Sequence, residues 1–328
     1  MNSVVHVRIH SSQFPENVRR DLLASLRSRR VNHKFHYDSI KQTQKWLTLH
    51  QQYSPTRKDD DCVAMYEKSF AAAAKRIEAK EVHVVGLGCG GGQKDTRLLK
   101  LLRAAGREVS YTPSDVATAM VLVARQAALS VVPNERCFPL VCDLTSADDL
   151  PAVFASYGRS EIPRLFTFFG MIPNFEPEVI LPRLASFIRP QDWLVFSANL
   201  APGKDYGAGV REILPQYENE LTREWLLTFL LDLGVERGDG ALEFKIETNF
   251  VTGLQRVTAH FHFRRPRRIA VESEQFEFLS GDSIQLFFSY RYTPELAQRA
   301  LTDHGLEICE TWAAISGEEG VFLCHKGR

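Results

Sequence analysis

The chain carries no preponderant charge. Its 40 basic and 40 acidic residues cancel, so no global field draws it toward nucleic acid or an anionic membrane. No apolar run approaches the roughly 20 residues that cross a bilayer, and the opening Met-Asn-Ser-Val-Val-His-Val-Arg-Ile-His lacks the long apolar core of a signal peptide. Six cysteines, at 62, 89, 137, 142, 309 and 324, include no Cys-x-x-Cys pair and read as reduced thiols. His260 and His262 stand at strand spacing without further ligands in the pattern, which favours a satisfied structural pair over a metal site. The one dense basic patch, Arg264-Arg265-Pro266-Arg267-Arg268, has no second patch to join it and reads as a solvated turn. These absences set the expectations: a cytoplasmic protein acting as a monomer on a small molecule, without metal, nucleic acid or membrane. Its 328 residues, 44% hydrophobic and 24% charged, suffice for one large domain or two of ordinary size.

The most informative stretch is Val82–Lys94. A short apolar run, Val82–Val85, leads into five glycines within residues 86–92. Behind them, residues 95–106 show a helical pattern, with leucines at 98, 99, 101 and 102 on one face and Gly106 where a helix C-terminal glycine belongs. Strand, glycine turn and helix open the nucleotide-binding half of a doubly wound α/β domain. A phosphate loop is excluded by the missing Gly-Lys-Ser/Thr ending. Gly86, Gly88 and Gly91 satisfy the Gly-x-Gly-x-x-Gly spacing of dinucleotide sites. A glycine-rich strand end serves S-adenosylmethionine (SAM) equally well, and a plain packing turn is the third reading.

Downstream, the pattern predicts strands at 108–112, 138–141, 164–169 and 192–198, alternating with helices at 116–129 and 182–189. With the strand at 82–85 this makes a parallel, doubly wound sheet. Beyond Asn199 the rhythm changes. A helix at 225–233 and strand-like pieces at 244–246, 256–263, 268–271 and 285–290 read as an inserted region. A helix at 294–304 and a hairpin, 306–312 with 320–325, close the chain. A C-terminal antiparallel hairpin completing a parallel sheet is characteristic of SAM-dependent methyltransferases.

Acids fall at successive strand ends, where the crevice of an open α/β sheet takes its ligands. The glycine loop, including Gly86, Gly88 and Gly90, can receive the methionine part of SAM. Asp115, after the second strand, can accept from both ribose hydroxyls, or cap the helix that follows it. Asp143, after the third, can accept from the adenine amino group, with the Leu144 backbone N–H toward a ring nitrogen. All three at the right strand ends favour SAM, with S-adenosylhomocysteine as product, over NAD.

On these motifs the chain resembles the histidine Nα-methyltransferases of ergothioneine biosynthesis, whose wider family includes fungal enzymes acting on tryptophan derivatives. His36-Tyr37-Asp38-Ser39 is similar to the family's Phe-Tyr-Asp signature, and Tyr53-Ser54-Pro55-Thr56-Arg57 to its Tyr-Tyr-Pro-Thr-Arg. Gly86–Lys94 is similar to its glycine loop with the lysine after it. Asp115, Asp143, Asn174-Phe175-Glu176-Pro177 and Tyr217 fall where its cofactor and substrate residues lie.

The resemblance implies an α/β, Rossmann-like class I methyltransferase domain of residues 61–200 plus 291–328. It also implies a second, discontinuous substrate-binding domain of 1–60 plus 201–290, with the amino acid between them. It further implies Lys94 at the cofactor, Asn174 on the α-amino group, Tyr37, Tyr53 and Tyr217 around the carboxylate, and Ser289 toward the side-chain end. Asn174 and Tyr37 are the catalytic candidates. Two departures stand out. Gly170-Met171-Ile172-Pro173-Asn174 is one residue shorter than the family's Gly-Ser/Thr-x-Ile-Gly-Asn and has Pro for Gly. Phe287 stands where histidine enzymes place an imidazole-binding glutamate, and Ala259 where they carry a methionine. The function expected is therefore SAM-dependent N-methylation of an amino acid or small amine other than histidine. The alternatives are a SAM-binding protein that has lost its chemistry and serves in regulation or assembly, and an NAD-dependent oxidoreductase.

Overall fold

The run Glu81–Leu87 is buried from Val82 onward, as a strand covered on both faces must be. It is the centre of a mixed sheet in a computed structural model that describes residues 4–54, 59–157 and 161–327. Two compact units emerge. The first comprises Met1–Phe14, Pro55–Leu200 and Tyr292–Arg328, and the second Pro15–Ser54 and Ala201–Arg291.

The first unit is built on eight strands: β1 (Arg8–Ile9), β2 (Glu81–Leu87), β3 (Glu108–Asp115), β4 (Leu140–Val141), β5 (Arg164–Phe168), β6 (Trp193–Asn199), and a C-terminal pair, β12 (Leu306–Ala313) and β13 (Glu319–Lys326). Their spatial order is β1-β4-β3-β2-β5-β6-β13-β12. All pairs from β1 to β6 are parallel, whereas β13 runs antiparallel to both β6 and β12. The chain steps outward from β2 to β3 and β4, then restarts on the other side at β5. That reversal between β2 and β5 is the topological switch point, where such sheets hold ligands. The expected parallel sheet with a C-terminal antiparallel hairpin is therefore present.

Three local readings are corrected. The helix expected at 182–189 spans Pro177–Phe187, with Pro182 inside it. Pro177 takes the first helical position, where a missing N–H costs nothing, and the buried face of Ile180, Leu181 and Leu184 outweighs the interior proline. The helix after the glycines starts at Gln93 rather than Asp95, because Gly92 adopts the left-handed cap conformation. Finally, of the segment 1–60 only 15–54 go with the second unit: residues 1–14 and 55–60 fall in the first, where β1 joins the edge of the large sheet beside β4.

The second unit has a three-stranded antiparallel sheet, β11 (Ser283–Arg291), β8 (Gln255–Phe263) and β7 (Gly240–Thr248) in that order, and a two-stranded ribbon of β9 (Arg267–Val271) and β10 (Glu274–Phe278). Four helices belong to it: α1 (Pro15–Ser28), α2 (Ile40–Tyr53), α8 (Tyr206–Ile213) and α9 (Glu220–Asp232). The sequence pattern sets out no element for α1 and α2. Their apolar residues, such as Val18, Leu22 and Leu26, are spaced among charges and pack on the core formed by Trp225, Phe229, Phe261 and Phe287. The arginines of 264–268 are not a bare basic patch. Arg265 and Arg267 both reach the buried Asp239, and Arg268 pairs with Glu277. His260 and His262 lie against Glu247 and Glu243.

Among the described residues no helix is long and apolar enough to cross a membrane, no cluster of metal-ligating side chains occurs, and the six cysteines are unpaired thiols.

Candidate functional site

The loop leaving β2 owes its shape to glycine. Gly88, Gly90 and Gly92 have φ of 66°, 50° and 72°, a region that residues with a Cβ rarely enter. Helix α4 (Gln93–Ala104) follows at once and receives no side-chain cap, so its first-turn N–H groups are oriented for an outside acceptor. The Cys89 N–H is tied to the Ser114 carbonyl and the Ser114 hydroxyl to the Gly86 carbonyl, which fastens the loop to the end of β3.

Two of these glycines answer to neighbours within the unit. A Cβ on Gly88 would meet the Met171 side chain at 2.5 Å, so the turn after β5 lies directly against the loop. A Cβ on Gly86 would stand 2.3 Å from Asp95 Oδ2. Asp95, which sequence reasoning missed, is 2% exposed and accepts from the Tyr111 hydroxyl at 2.6 Å and the Thr167 hydroxyl at 2.7 Å. Burial pushes its carboxyl up, against the effect of those two hydrogen bonds. It thereby joins α4, β3 and β5 beneath the loop. Gly86→Ala is expected to destabilise the protein by about 1–3 kcal/mol through overpacking, read as a lowered Tm in calorimetry. An unchanged Tm would show that Asp95 yields freely.

Asp115 ends β3. Its Oδ2 accepts from the Gly90 N–H and its Oδ1 from the Ala117 N–H, both at 3.1 Å. Burial raises this carboxyl to about 6, opposed by the backbone hydrogen bonds of Ala117, Gly90 and Val116. A carboxylate has about four acceptor positions, so the side chain that shapes the glycine loop keeps capacity for further hydroxyl donors. Asp143 and Leu144, both buried, follow β4. Asp143 Oδ1 accepts from the Thr145 N–H at 2.9 Å and the Thr145 hydroxyl at 2.6 Å. Lys94 is engaged within the unit: its ammonium donates to the Tyr66 hydroxyl at 2.7 Å and pairs with Glu319 at 3.3 Å. Tyr66 in turn donates to Glu319. Glu319 was expected in the hairpin turn but begins β13 and is buried.

These residues fit SAM. The uncapped helix start suits a carboxylate, Asp115 suits vicinal hydroxyls, and Asp143 stands one strand further along the same edge. Asn174 closes the short helical turn Ile172–Asn174 after β5 and is half-buried, on the loop that carries Met171.

In the second unit the remaining candidates divide. Phe287, Ser289 and Arg291 alternate along β11, so they share a face. Phe287 is buried, lies opposite Ala259 of β8, and follows a bulge after Gln285. Its ring contacts those of Tyr217, Trp225 and His33 at centroid distances of 5.9, 5.9 and 5.1 Å. Tyr217 donates to Ser289 Oγ and accepts from Arg291, both at 2.8 Å. Tyr37 leans on Trp225 at 5.5 Å. Phe287, Ser289, Tyr217 and Tyr37 thus surround one aromatic cluster. Tyr53 stands apart at the end of α2, half exposed, with no contact to that cluster among the described residues. Pro55, Thr56 and Arg57 of the same motif lie outside the described residues.

A sheet of this strand order, a glycine loop at its switch point and acids at the next two strand ends define a Rossmann-like, class I SAM-dependent methyltransferase. The chain belongs to the family of histidine-specific, SAM-dependent methyltransferases, whose model matches residues 18–326. No curated protein matches its sequence. Solved structures to which it is similar include magnesium protoporphyrin IX methyltransferase from Synechocystis PCC 6803 with bound S-adenosylhomocysteine, at 12% identity and a TM-score of 0.43, covering 88% of this chain and 95% of that one. Another is the 1,6-didemethyltoxoflavin-N1-methyltransferase of Burkholderia thailandensis, at 11% identity and a TM-score of 0.39, covering 87% and 91%.

Proposed function

We propose that this methyltransferase acts on the α-amino group of an amino acid, or on a related small amine, whose side chain is aromatic and less polar than imidazole. The reading is carried by Phe287. It occupies the strand position beside Ser289, facing Tyr217 and Trp225 and opposite the small Ala259, where an imidazole would need an acid. An imidazole in a closed pocket requires partners for both ring nitrogens, and leaving one unpaired costs ~1–3 kcal/mol. An indole has one N–H, for which the Ser289 hydroxyl is an acceptor, and an apolar face suited to a phenyl neighbour.

Gly86, Gly88, Gly90, Asp115, Asp143 and Leu144 are the residues we assign to SAM, while the Lys94 ammonium is held by Tyr66 and Glu319. When bound, SAM supplies a methyl group already activated by its sulfonium. The chain's task is then to orient a neutral amine and exclude water. Asn174 can accept a hydrogen bond from that amine but cannot take its proton. Tyr37 and Tyr217 are assigned to the substrate carboxylate, and Tyr53, apart from their cluster, is not. The test is kcat/KM for histidine, tryptophan, tyrosine and phenylalanine with purified protein and labelled SAM. Histidine is expected to be poorest, by about tenfold or more, as one lost hydrogen bond predicts. Histidine turned over tenfold better than the others would remove the reading.

A further inference from the structure

The segment before the family match carries a feature that the methyltransferase assignment leaves unused. Strand β1 lies against β4, with the Arg8 N–H on the Pro139 carbonyl at 3.0 Å and the His10 N–H on the Val141 carbonyl at 2.9 Å. The chain then turns through Ser11–Gln13, and the Ser12 hydroxyl, on a residue 5% exposed, accepts the backbone N–H of Asp143 at 3.0 Å. His10 Nδ1 accepts the Ser12 N–H at 3.0 Å and lies 2.9 Å from the Ser12 hydroxyl. Because Nδ1 accepts a backbone N–H, the ring proton belongs on Nε2, which donates to Asp149 Oδ1 at 2.6 Å. Arg8 donates to the Ser156 hydroxyl at 2.8 Å and covers the Tyr157 ring.

Residues 8, 10 and 12 therefore touch the end of β4, the turn at Asp143, and both ends of the helix Leu150–Ala155. All of these contacts come from a segment that precedes residue 18, where the family match begins.

We infer that Ser12 and His10, held by Asp149, are positioning residues for the cofactor's adenine end. The Ser12 hydroxyl fixes the Asp143 backbone, while Thr145 fixes one oxygen of its carboxylate. Together they set the direction of the carboxylate and of the Leu144 N–H that follows. Without Ser12 the buried Asp143 N–H loses its acceptor, and the turn must shift to find another. This inference rests on the reading of Asp143 and Leu144 as the adenine contacts.

The experiment is calorimetric titration of S-adenosylhomocysteine into wild type, Ser12→Ala, Asp149→Ala, Asp149→Asn, Asp143→Ala and the Ser12→Ala/Asp149→Ala double variant, well below each apo Tm, with Tm recorded separately. Ser12→Ala is expected to weaken binding about fivefold, the effect of one net hydrogen bond. Asp149→Ala should weaken it about two- to threefold, and Asp149→Asn, which keeps an acceptor for His10 Nε2, should restore wild-type affinity. The double variant should be no weaker than Ser12→Ala alone, since the residues act in series. Wild-type affinity in Asp143→Ala would overturn the adenine reading, and the inference with it. Weak binding in Asp143→Ala with wild-type affinity in Ser12→Ala and Asp149→Ala would overturn the inference alone, whatever their Tm. Should Ser12→Ala fail to fold, the Asp149 pair decides, because that side chain is largely exposed.

Discussion

Asp115→Ala is expected to weaken binding of SAM and of S-adenosylhomocysteine by well over tenfold. Two charge-assisted hydrogen bonds to a ribose are each worth ~1.5–3 kcal/mol. The same carboxylate holds the Gly90 and Ala117 N–H groups, so its loss also slackens the glycine loop. The effect should be pH-dependent in the wild type. Burial raises the Asp115 carboxyl to about 6, and hydroxyl donors need its ionised form. Affinity should therefore be constant above about pH 7 and fall as pH drops through 6, because the proton competes with the ribose. In Asp115→Ala that dependence should be absent. Titration calorimetry at pH 5 to 8 reads both effects, and cofactor affinity unchanged by the substitution would show that Asp115 serves only as a loop brace.

Phe287→Glu is expected to invert substrate preference. In the wild type, Phe287 presents an apolar ring among Tyr217, Trp225 and His33. A glutamate there would bury a charge unless the substrate brings a partner. An imidazole N–H can be that partner, whereas the face of an indole or phenyl ring cannot. The ratio of kcat/KM for histidine to that for tryptophan should rise by one to two orders of magnitude, combining ~1–3 kcal/mol of new pairing with the loss of the aromatic contact. Part of the cost falls on stability, so Tm is followed in parallel. Phe287→Leu, which keeps an apolar side chain, should preserve the wild-type order of substrates. An unchanged ratio in a folded Phe287→Glu protein would mean that Phe287 belongs only to the core.

Much of the first unit was legible because its signals are local. The five glycines, the leucine face of residues 98–102, and the acids at 115 and 143 each follow from the period or chemistry of a few consecutive residues. So do the class of fold and the hairpin that ends it. Helix α1 escaped because its apolar residues are diluted by charge, and β1 because two residues carry no period at all. The start of the helix at Pro177 was hidden by a second proline that only a buried face makes tolerable.

Other features depend on partners distant in sequence. Gly86 owes its missing Cβ to Asp95, and that pairing exists only once β2, β3 and α4 are packed. The resemblance puts Lys94 at the cofactor, and nothing near it in sequence shows that a residue 225 positions later pairs with it. The face on which Phe287 lies could not be read from alternation, because a slip of one residue reverses every side chain and the bulge after Gln285 makes such a shift. Sequence alone favoured a SAM-dependent methyltransferase over an NAD enzyme, since glycine content and strand-end acids are properties of short segments, and the family match over residues 18–326 agrees. The tertiary structure decided which residues brace the cofactor loop and which ring stands beside Ser289, because both are matters of strand register and of contacts across the chain.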